Sequence, residues 1–447
     1  KSTTAGTTAV SGAVPALDVT NTNNAILGTT TQYHTIQDHA KIKVAYDFTS
    51  TVRATYTLGY WQNNSDGNFQ SYLTNSAGAS VYAPASGGTT ISQGGSNYKI
   101  ANNSFSASRE SLTHFMHGLS LKSNTQEVFD WEVLGSLYAY QTDLNRSSGT
   151  NGETTLFTGT GSVTDYGGTG FNNFALKGTY RPFGLKGEHI VDFGYQQDNY
   201  KLSILKNDTG AATWETAPAG TLTSQSRGKS QLQSLYAQDA WKFAPAWKAV
   251  IGMRAEQWST SNGLAYTSSS GTTATYSDRV ENYFSPKLAL SHLISETLML
   301  KASTGRAVRM PTVHELYGST SAGSGSVTFL NDPNLRPEKS QTTELTAEKD
   351  LGHGILRTTA FFENTRDAIA SQVSSSLIGP TTKTYIQNIR RLESTGLEIA
   401  YTGQNFLKRG LDFASSLTYV DSRIKENDGY YAVAGDTIDK YQIRVPM

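Results

Sequence analysis

The chain has 447 residues, a formal net charge of zero, 41 glycines, 24 tyrosines and no cysteine. Charged residues make up 17% and hydrophobic residues 37% of it, so it is poor in both classes compared with a soluble globular domain. The neutral balance gives no indication of nucleic-acid binding, and the lack of cysteine excludes disulfides and thiolate metal sites. No run of about 18 apolar residues occurs, which excludes a membrane-spanning helix.

The N-terminal region carries no regular pattern. Residues 1–37 are polar and rich in Thr, Asn and Gly, and we predict a surface loop there. No signal peptide is visible at Lys1. We therefore expect either that such a segment has been removed or that the chain begins inside a longer protein.

About fourteen segments then alternate apolar and polar residues, which is the pattern of half-buried β-strands. Most of them reach the roughly 9–11 residues that a strand needs to cross a membrane. The predicted strands cover residues 40–48, 52–61, 110–121, 129–140, 171–181, 189–200, 231–242, 247–258, 283–293, 297–306, 342–349, 355–364, 396–401 and 411–420, and a last fragment covers 441–446.

The connections between these segments alternate in length. Residues 49–51 and 122–125 are short turns, whereas residues 63–108 and 145–170 are long loops. In an antiparallel meander, alternate connections lie at opposite ends, so one end has tight turns and the other has long loops. Outer-membrane barrels have this asymmetry. The pattern predicts an all-β, transmembrane, antiparallel up-and-down β-barrel with short periplasmic turns and long extracellular loops.

Each predicted strand has one apolar and one more polar face. Ile251 and Met253, for example, oppose Arg254 and Glu256, and charge on the second face suits a wet or plugged lumen. A soluble solenoid or sandwich with tryptophan in its core is the alternative, but it gives no reason for the alternating connections. Five tryptophans fall at or near strand ends, where a barrel has its aromatic girdle: Trp61, Trp131, Trp241, Trp247 and Trp258.

Four stretches between residues 231 and 401 form an ordered set of motifs. They are LYAQDAWK (235–242) with IGMR (251–254); SPKL (285–288) with KASTGRAVRMPT (301–312) and ELY (315–317); DPNLRPE (332–338) with Glu344; and Asn388 with GLE (396–398). In kind and order they resemble the barrel motifs of TonB-dependent outer-membrane receptors. Val308 stands where that family usually has Phe, and Asp332 where it usually has Asn.

The resemblance implies a barrel of about 22 strands, of which about 14–15 are present here. We therefore expect residues 1–447 to be part of the barrel domain of such a receptor, with the plug domain and the C-terminal closing strands absent from this chain. An open sheet of this length would expose two edges, which lipid does not tolerate. The expected location is the outer membrane of a Gram-negative bacterium, as a multi-pass β-barrel.

The resemblance also implies a function, namely active, TonB-energised uptake of a scarce nutrient. A ferric siderophore is the commonest ligand class implied, so the transported ligand is expected to be an iron chelate, and no resident cofactor is expected. Haem, cobalamin, copper and oligosaccharide chelates remain open. The expected partners are outer-membrane lipid and lipopolysaccharide, the inner-membrane TonB complex acting through the plug, and the small-molecule ligand, but no nucleic acid.

Two alternatives come from other functional classes. The first is a passive porin or structural outer-membrane barrel without a plug or energy coupling. The second is a membrane-embedded enzyme, but no nucleophile elbow, zinc-protease motif or phosphate-binding loop appears in the sequence. No catalytic residue is therefore predicted.

The candidate ligand contacts are Arg306, Arg309, His314 and Tyr317. Arginine suits carboxylate or catecholate groups because its guanidinium is a bidentate fork, and imidazole can ligate iron. The alternative roles are a salt bridge that stiffens the wall, a local hydrogen bond for His314 and loop packing for Tyr317. The longer loops at 62–108 and 145–170 are further candidates for choosing the ligand.

A set of opposite charges on neighbouring strands predicts a lumenal charge network. Its predicted members are Arg254, Glu256, Glu315, Glu344 and Glu348. Met299, Met310 and His314 offer the soft ligands that copper prefers, but packing accounts for both methionines, and no metal site is predicted.

Overall fold

The computed structural model describes most of the chain. Within the described ranges the fold is almost entirely antiparallel β-sheet with one helix, α1 (Val313–Tyr317), and no helix there is long and apolar enough to cross a membrane. The described ranges are 7–17, 21, 23–82, 89–93, 96–100, 104–149, 159–210, 213–268, 271–321, 328–373, 384–406 and 408–427.

A single sheet of sixteen strands contains all the long strands of these ranges, and each long strand pairs with its neighbours in the chain. This meander confirms the predicted antiparallel fold class. The long strands are β4 (Gly28–Asp47), β5 (Val52–Ser71), β8 (Ser108–Ser123), β9 (Phe129–Ser148), β11 (Gly170–Tyr180), β12 (His189–Asp208), β13 (Leu222–Ala244), β14 (Trp247–Thr267), β16 (Arg279–Ser295), β17 (Leu298–Arg309), β20 (Glu338–Asp350), β21 (Gly354–Val373), β22 (Thr384–Gly403) and β23 (Phe413–Glu426).

Short strands lie before β4 or in the connections at the long-loop end. Three of them form a small sheet, four form two separate hairpins, and two join the main sheet. They are β1 (Thr7–Ala9) with β6 (Thr89–Gln93) and β7 (Ser96–Ile100); β2 (Val14–Leu17) with β3 (Asn23–Ile26); β18 (Ser319–Ser321) with β19 (Thr328–Leu330); and, in the main sheet, β10 (Gly161–Asp165) and β15 (Thr272–Thr275).

The strand between β9 and β12 is interrupted. Both β10 and β11 pair with these two neighbours, β10 near the loop end and β11 near the turn end. The break falls at residues 166–169, where Gly168 has a φ of 77°, a backbone conformation that favours glycine. β10 and β11 together therefore occupy one strand position in the sheet, between β9 and β12.

The observed strands run further toward the long loops than the sequence predicts. Each of the fourteen predicted segments overlaps one long strand, but β5 continues to Ser71 and β9 to Ser148. These extensions are rich in Asn, Ser and Gly. Because neither of their faces is apolar, they carry no alternation, yet the hydrogen-bond ladder of the sheet still holds them.

The prediction of a loop over residues 1–37 is wrong. β4 begins at Gly28, and β2 and β3 form a hairpin before it. The cause is again a polar stretch whose backbone is paired without apolar alternation. The predicted fragment at 441–446 lies outside the described residues.

The two faces of the sheet differ in chemistry. Register places Leu290, Ala302, Leu345 and Ala360 side by side on four neighbouring strands. This face is termed the outward face, because its apolar side chains are exposed, with 58% of Leu345 accessible. The opposite, inward face carries mostly polar side chains and is covered at its loop end by α1.

Three of the five tryptophans lie where an aromatic girdle is expected. Trp131, Trp241 and Trp247 are on the outward face near the short turns, where the Trp247 ring stacks on His292 at 3.9 Å. The prediction is wrong for Trp61 and Trp258. Both lie on the inward face, since their positions differ by an odd number from those of outward residues on the same strand.

The outward face generates a test of its expected contact with lipid. Leu345→Arg places a charge near the middle of the apolar band, and we expect the free energy of unfolding from lipid vesicles to fall by about 2–4 kcal/mol. Thr346→Arg puts the same charge on the inward face one residue away and is expected to cost much less. Denaturant titration in vesicles measures both, and equal losses would contradict the assignment of the faces.

Candidate functional site

The helix α1 starts with a capping box. The Glu315 amide donates to the Thr312 hydroxyl at 3.1 Å, and the Thr312 amide donates to the Glu315 carboxylate at 2.7 Å. Pro311 precedes the cap, and a proline there ends β17 because it cannot donate to a sheet ladder. The sequence therefore turns the chain out of the sheet directly after β17.

Arg309, the last residue of β17, ties the strand to the helix. Its guanidinium is 3.2 Å from the Glu315 carboxylate and 3.6 Å from that of Glu338. All three side chains are partly exposed, so each ion pair contributes about 1 kcal/mol or less. Their main effect is to fix the direction of the segment that follows.

Residues 310–318, termed the helical strap, fold over the inward face. Val313, Leu316 and Tyr317 are buried on Trp258 and Leu335. Burial of side chains of this size contributes about 1.5–3 kcal/mol each. The five-residue helix is therefore held by tertiary packing, because an isolated helix of this length is unstable.

Two glycines of the sheet, one on β13 and one on β14, make room for the Tyr317 ring. A Cβ at Gly228 would lie 2.5 Å from the Tyr317 ring, and one at Gly263 would lie 2.7 Å from it. The ring stacks on Tyr276 at 5.2 Å. Burial raises the pKa of the Tyr276 phenol, and the adjacent Tyr317 raises it further.

The DPNLRPE motif packs beside the strap. Arg279 donates to the backbone carbonyls of Pro333 and Leu335 at 2.8 and 3.1 Å, and its guanidinium lies 5.1 Å from the centre of the Trp258 ring. Asn331 donates to the carbonyl of His314 at 2.9 Å. These bonds satisfy carbonyls that a loop would otherwise leave open.

Asn388 of β22 fastens the other end of this motif. Its side-chain amide donates to the carbonyls of Arg336 and Asp367 at 2.9 and 2.7 Å, and its side-chain oxygen accepts from the Arg336 amide at 2.8 Å. Residues separated by about fifty positions are thus joined at one point. Two of the sequence motifs, DPNLRPE and the one that contains Asn388, are therefore held together by hydrogen bonds.

Between the strap and the wall lies a cavity of about 500 Å³. His314 of the strap and Arg309 at the end of β17 line it on one side, and Tyr140, Phe171 and Tyr200 of the sheet line it on the other. The same three aromatic residues also line an adjoining hollow of about 760 Å³. Both volumes fall in the range of small-molecule sites.

The wall side of the cavity continues an aromatic strip on the inward face. Neighbouring ring centres in the strip are 4.0 to 5.9 Å apart. His114 is held within it by bonds to the Tyr138 hydroxyl at 3.0 Å and to Asp143 at 3.1 Å. The members of the strip are Trp61, His114, Tyr138, Tyr140, Phe171 and Tyr200.

The structure brings together only two of the four predicted ligand contacts. Arg309 and His314 line the cavity, and ligand binding by them stays a prediction. Tyr317 is buried, with 1% of its surface accessible, so it packs under the strap. Arg306 lies on the outward face, opposite Arg309, because the two are three positions apart along a strand and side chains alternate between the faces. The predicted ligand contact at Arg306 therefore lies on the other side of the sheet from this cavity, and ligand binding by it stays a prediction.

The predicted charge network divides into separate pairs. Arg254 contacts Glu256 at 3.0 Å, and Arg357 contacts Glu348 at 2.6 Å. Glu315 pairs with Arg309, as described above, while Glu344 accepts from the Ser303 hydroxyl at 3.1 Å. All of these groups except Glu315 are on inward faces of strands. The described residues contain no group of three or more side chains that could hold a metal ion.

Comparison with known sequences and structures identifies this arrangement. The family described as TonB dependent receptor-like, beta-barrel matches residues 15–446. The chain belongs to this receptor family. The family and the fold are those of transport receptors, and this receptor lies in the outer membrane of a Gram-negative bacterium.

Individual relatives are distant. A ferric enterobactin receptor of Pseudomonas aeruginosa (strain PAO1) is 25% identical over 334 residues, which cover 68% of this chain and 41% of that protein. The chain thus spans about half the length, or less, of the relatives that it matches most clearly.

Solved structures show the same fold. The ferripyoverdine receptor of the Pseudomonas aeruginosa outer membrane, bound to ferripyoverdine, has a TM-score of 0.57 and 14% identity over 92% of this chain and 52% of its own. A copper transporter has a TM-score of 0.53 and 12% identity over 90% of this chain and 63% of its own.

Sequence reasoning missed the wall side of the site. Tyr140, Phe171 and Tyr200 lie on three neighbouring wall strands, and only the register between those strands makes them adjacent. A signal was present, because tyrosine repeats at the polar positions of the β9 segment, at Tyr138 and Tyr140. The prediction instead placed the ligand contacts in the motifs at residues 301–317, which include the strap.

The close approach of Tyr317 to the wall gives a stability test. Gly263→Ala forces the Tyr317 ring to shift, and we expect the free energy of unfolding to fall by about 1–3 kcal/mol. Gly118→Ala is the matched control, since its Cβ would meet only the Thr57 Cβ at 3.9 Å. Denaturant titration of both variants measures the difference, and equal stability of the two would refute the tight fit.

Proposed function

We propose that this receptor takes up a ferric siderophore, and that the cavity beneath the helical strap is part of its ligand path. The observation that carries the proposal is the meeting of three exposed or half-buried aromatic rings with Arg309 and His314 around one hollow on the inward face. A relative named as a ferric enterobactin receptor and a structural neighbour bound to ferripyoverdine support the ligand class.

The chemistry of the cavity suits an iron chelate. Flat aromatic rings stack on aromatic or conjugated groups, and arginine recognises carboxylate and catecholate oxygens through its bidentate fork. Tyrosine adds a hydroxyl at the edge of an otherwise apolar ring. A bulky ligand that carries both rings and anionic oxygens would satisfy all of these groups together.

The proposed cycle is active. In it, work from the inner-membrane TonB complex reaches this barrel domain through a plug domain that contacts the inward face. The polar side chains and separate ion pairs of that face support such a contact, because exposed ion pairs are weak and can exchange for pairs with a second domain. The helical strap is then a fixed part of the wall, since its apolar side is fully packed.

The aromatic wall gives the first test of the ligand path. Phe171→Ala and Tyr200→Ala are each expected to weaken siderophore binding about fivefold, because one aromatic contact contributes about 1 kcal/mol. Tyr195→Ala is the control, since it removes the same ring from β12 on the outward face. Binding of iron-55-labelled siderophores to cells that express each variant measures the effect. Unchanged affinity in both Phe171→Ala and Tyr200→Ala would contradict the proposed ligand path.

Energy coupling gives the second test. In a strain deleted for the native gene, iron-55 uptake through this receptor is expected to stop when TonB is deleted, while surface binding persists. A passive porin predicts uptake that is unaffected by TonB. A chemical uncoupler serves as a second way to remove the energy source. Uptake that continues under both conditions would contradict active transport.

A further inference from the structure

His114 is the residue of the aromatic strip that combines a titratable group with burial. Its accessibility is 5%, whereas the tyrosines of the strip are half-buried or exposed. The imidazole ring lies nearly parallel to the Tyr140 ring, with centres 4.0 Å apart, and the Trp61 ring lies beside it at 5.0 Å. Because water is excluded there, both ring nitrogens depend on protein groups for hydrogen bonds.

The two nitrogens of His114 have partners of opposite kinds. Nδ1 lies 3.0 Å from the Tyr138 hydroxyl, and Nε2 lies 3.1 Å from the Asp143 carboxylate, which is itself 8% accessible. An ionised carboxylate can only accept, so Nε2 carries a proton and donates it to Asp143. In a neutral imidazole Nδ1 then has a free lone pair, and it accepts from the Tyr138 hydroxyl. The three side chains form one chain of hydrogen bonds.

The acidic end of this chain lies above the apolar band of the sheet. Asp143 is fourteen positions beyond the start of β9 at Phe129, which places it about 35 Å above the short turns, whereas the band is about 25 Å tall. Burial raises the pKa of the Asp143 carboxyl, the His114 imidazole offsets part of this, and the nearby Asp165 raises it again. His114 and Asp143 therefore take up a proton together more readily than an exposed carboxylate does.

Other titratable groups surround this pair. Glu110, on the same strand, accepts from the Asn63 amide at 3.3 Å. Register places Trp61 between His39 and His114. The titratable groups around the pair are Glu110 of β8; Tyr138 and Tyr140 of β9; Asp165 of β10; Tyr166, which follows β10; and His39 of β4. Among these described groups, one side chain bonds the imidazole, namely that of Tyr138.

A second proton on the imidazole reverses the bond to Tyr138. Nδ1 then donates to the Tyr138 oxygen, so the hydroxyl proton of Tyr138 is released for another acceptor. Tyr138 lines the hollow of about 760 Å³ that adjoins the cavity, and its ring stacks on Phe171 at 5.4 Å. The stacked Tyr140 ring favours the charged imidazole through a cation–π contact. A group bound on Phe171 therefore meets a donor at Tyr138 when His114 is charged.

We propose that Tyr138, His114 and Asp143 form a proton relay, through which a fall in pH makes the Tyr138 hydroxyl a hydrogen-bond donor to an anionic iron chelate. His114 is a positioning residue in this relay, since it acts through Tyr138. The identity of the ligand rests on the proposed uptake function, whereas the reversal of the hydrogen bond does not. Tighter binding of the anion at lower pH follows, because the released hydroxyl donates to a charged oxygen.

Nitrogen-15 NMR of labelled histidines tests the relay without any ligand. The chain has eight histidines, and His114→Gln identifies the signals of His114 in the detergent-solubilised receptor. We expect Nε2 to carry the only proton at about pH 8 and both nitrogens to carry one at lower pH. Asp143→Asn is expected to move this change to a lower pH, since it removes the negative charge that favours the imidazolium. The same titration of His114 with and without this substitution would overturn the relay.

Surface binding of an iron-55-labelled catecholate siderophore, in cells deleted for TonB, tests the contact with the ligand. The wild type is expected to bind about tenfold more tightly at about pH 6 than at about pH 8. Tyr138→Phe keeps the ring and its stacking but is expected to lose this difference, and so is His114→Gln. A heat-modifiability gel shift reports that each variant is folded.

The pair Tyr56 and His117 provides the matched control. The Tyr56 hydroxyl lies 2.8 Å from the His117 Nδ1 on the outward face of the sheet, and the described ion pairs give His117 no carboxylate. His117→Gln is therefore expected to keep the wild-type pH dependence. A pH dependence that survives in Tyr138→Phe would overturn the proposed contact. Failure of the wild type to bind siderophore at either pH would overturn it together with the proposed uptake, whereas the NMR titration decides the relay by itself.

Discussion

The hydrogen-bond ladder between neighbouring strands is the constraint on which the rest of this structure depends. In lipid, each backbone amide and carbonyl must find its partner within the protein, and here the main sheet pairs long strands of up to 23 residues with their neighbours. Once the ladder is fixed, successive side chains of each strand point alternately to the two faces of the sheet. The outward face takes exposed apolar residues such as Leu345, and the inward face takes polar ones such as Glu344.

The helical strap is the place where the chain leaves the ladder and still has its polar groups satisfied. Thr312 and Glu315 cap the helix, and Asn331 and Asn388 bond the carbonyls of the strap and of the motif that follows. The family motifs of this receptor therefore stabilise the path of the chain outside the sheet. They close a small core over Trp258, and the cavity is the space left between that core and the aromatic wall.

Much of the fold could be predicted, because alternation and connection length are local properties of the sequence. The short turns, the fourteen strands and the two faces follow from them. The strand extensions at the loop end could not be predicted in this way, since both of their faces are polar. The candidate site divides in the same manner. Arg309 and His314 were found through a motif, whereas Phe171 and Tyr200 become neighbours only through register.

By itself, the sequence determined the antiparallel meander, its uneven ends and its membership of a receptor family, because period-two patterning and motif order survive without any coordinates. Only the tertiary structure decided which residues meet. It buried Tyr317 between two glycines and turned Arg306 to the outward face of the sheet, away from the cavity. Register, strand ends and the path of the strap set these outcomes, and each depends on contacts between residues far apart in the chain.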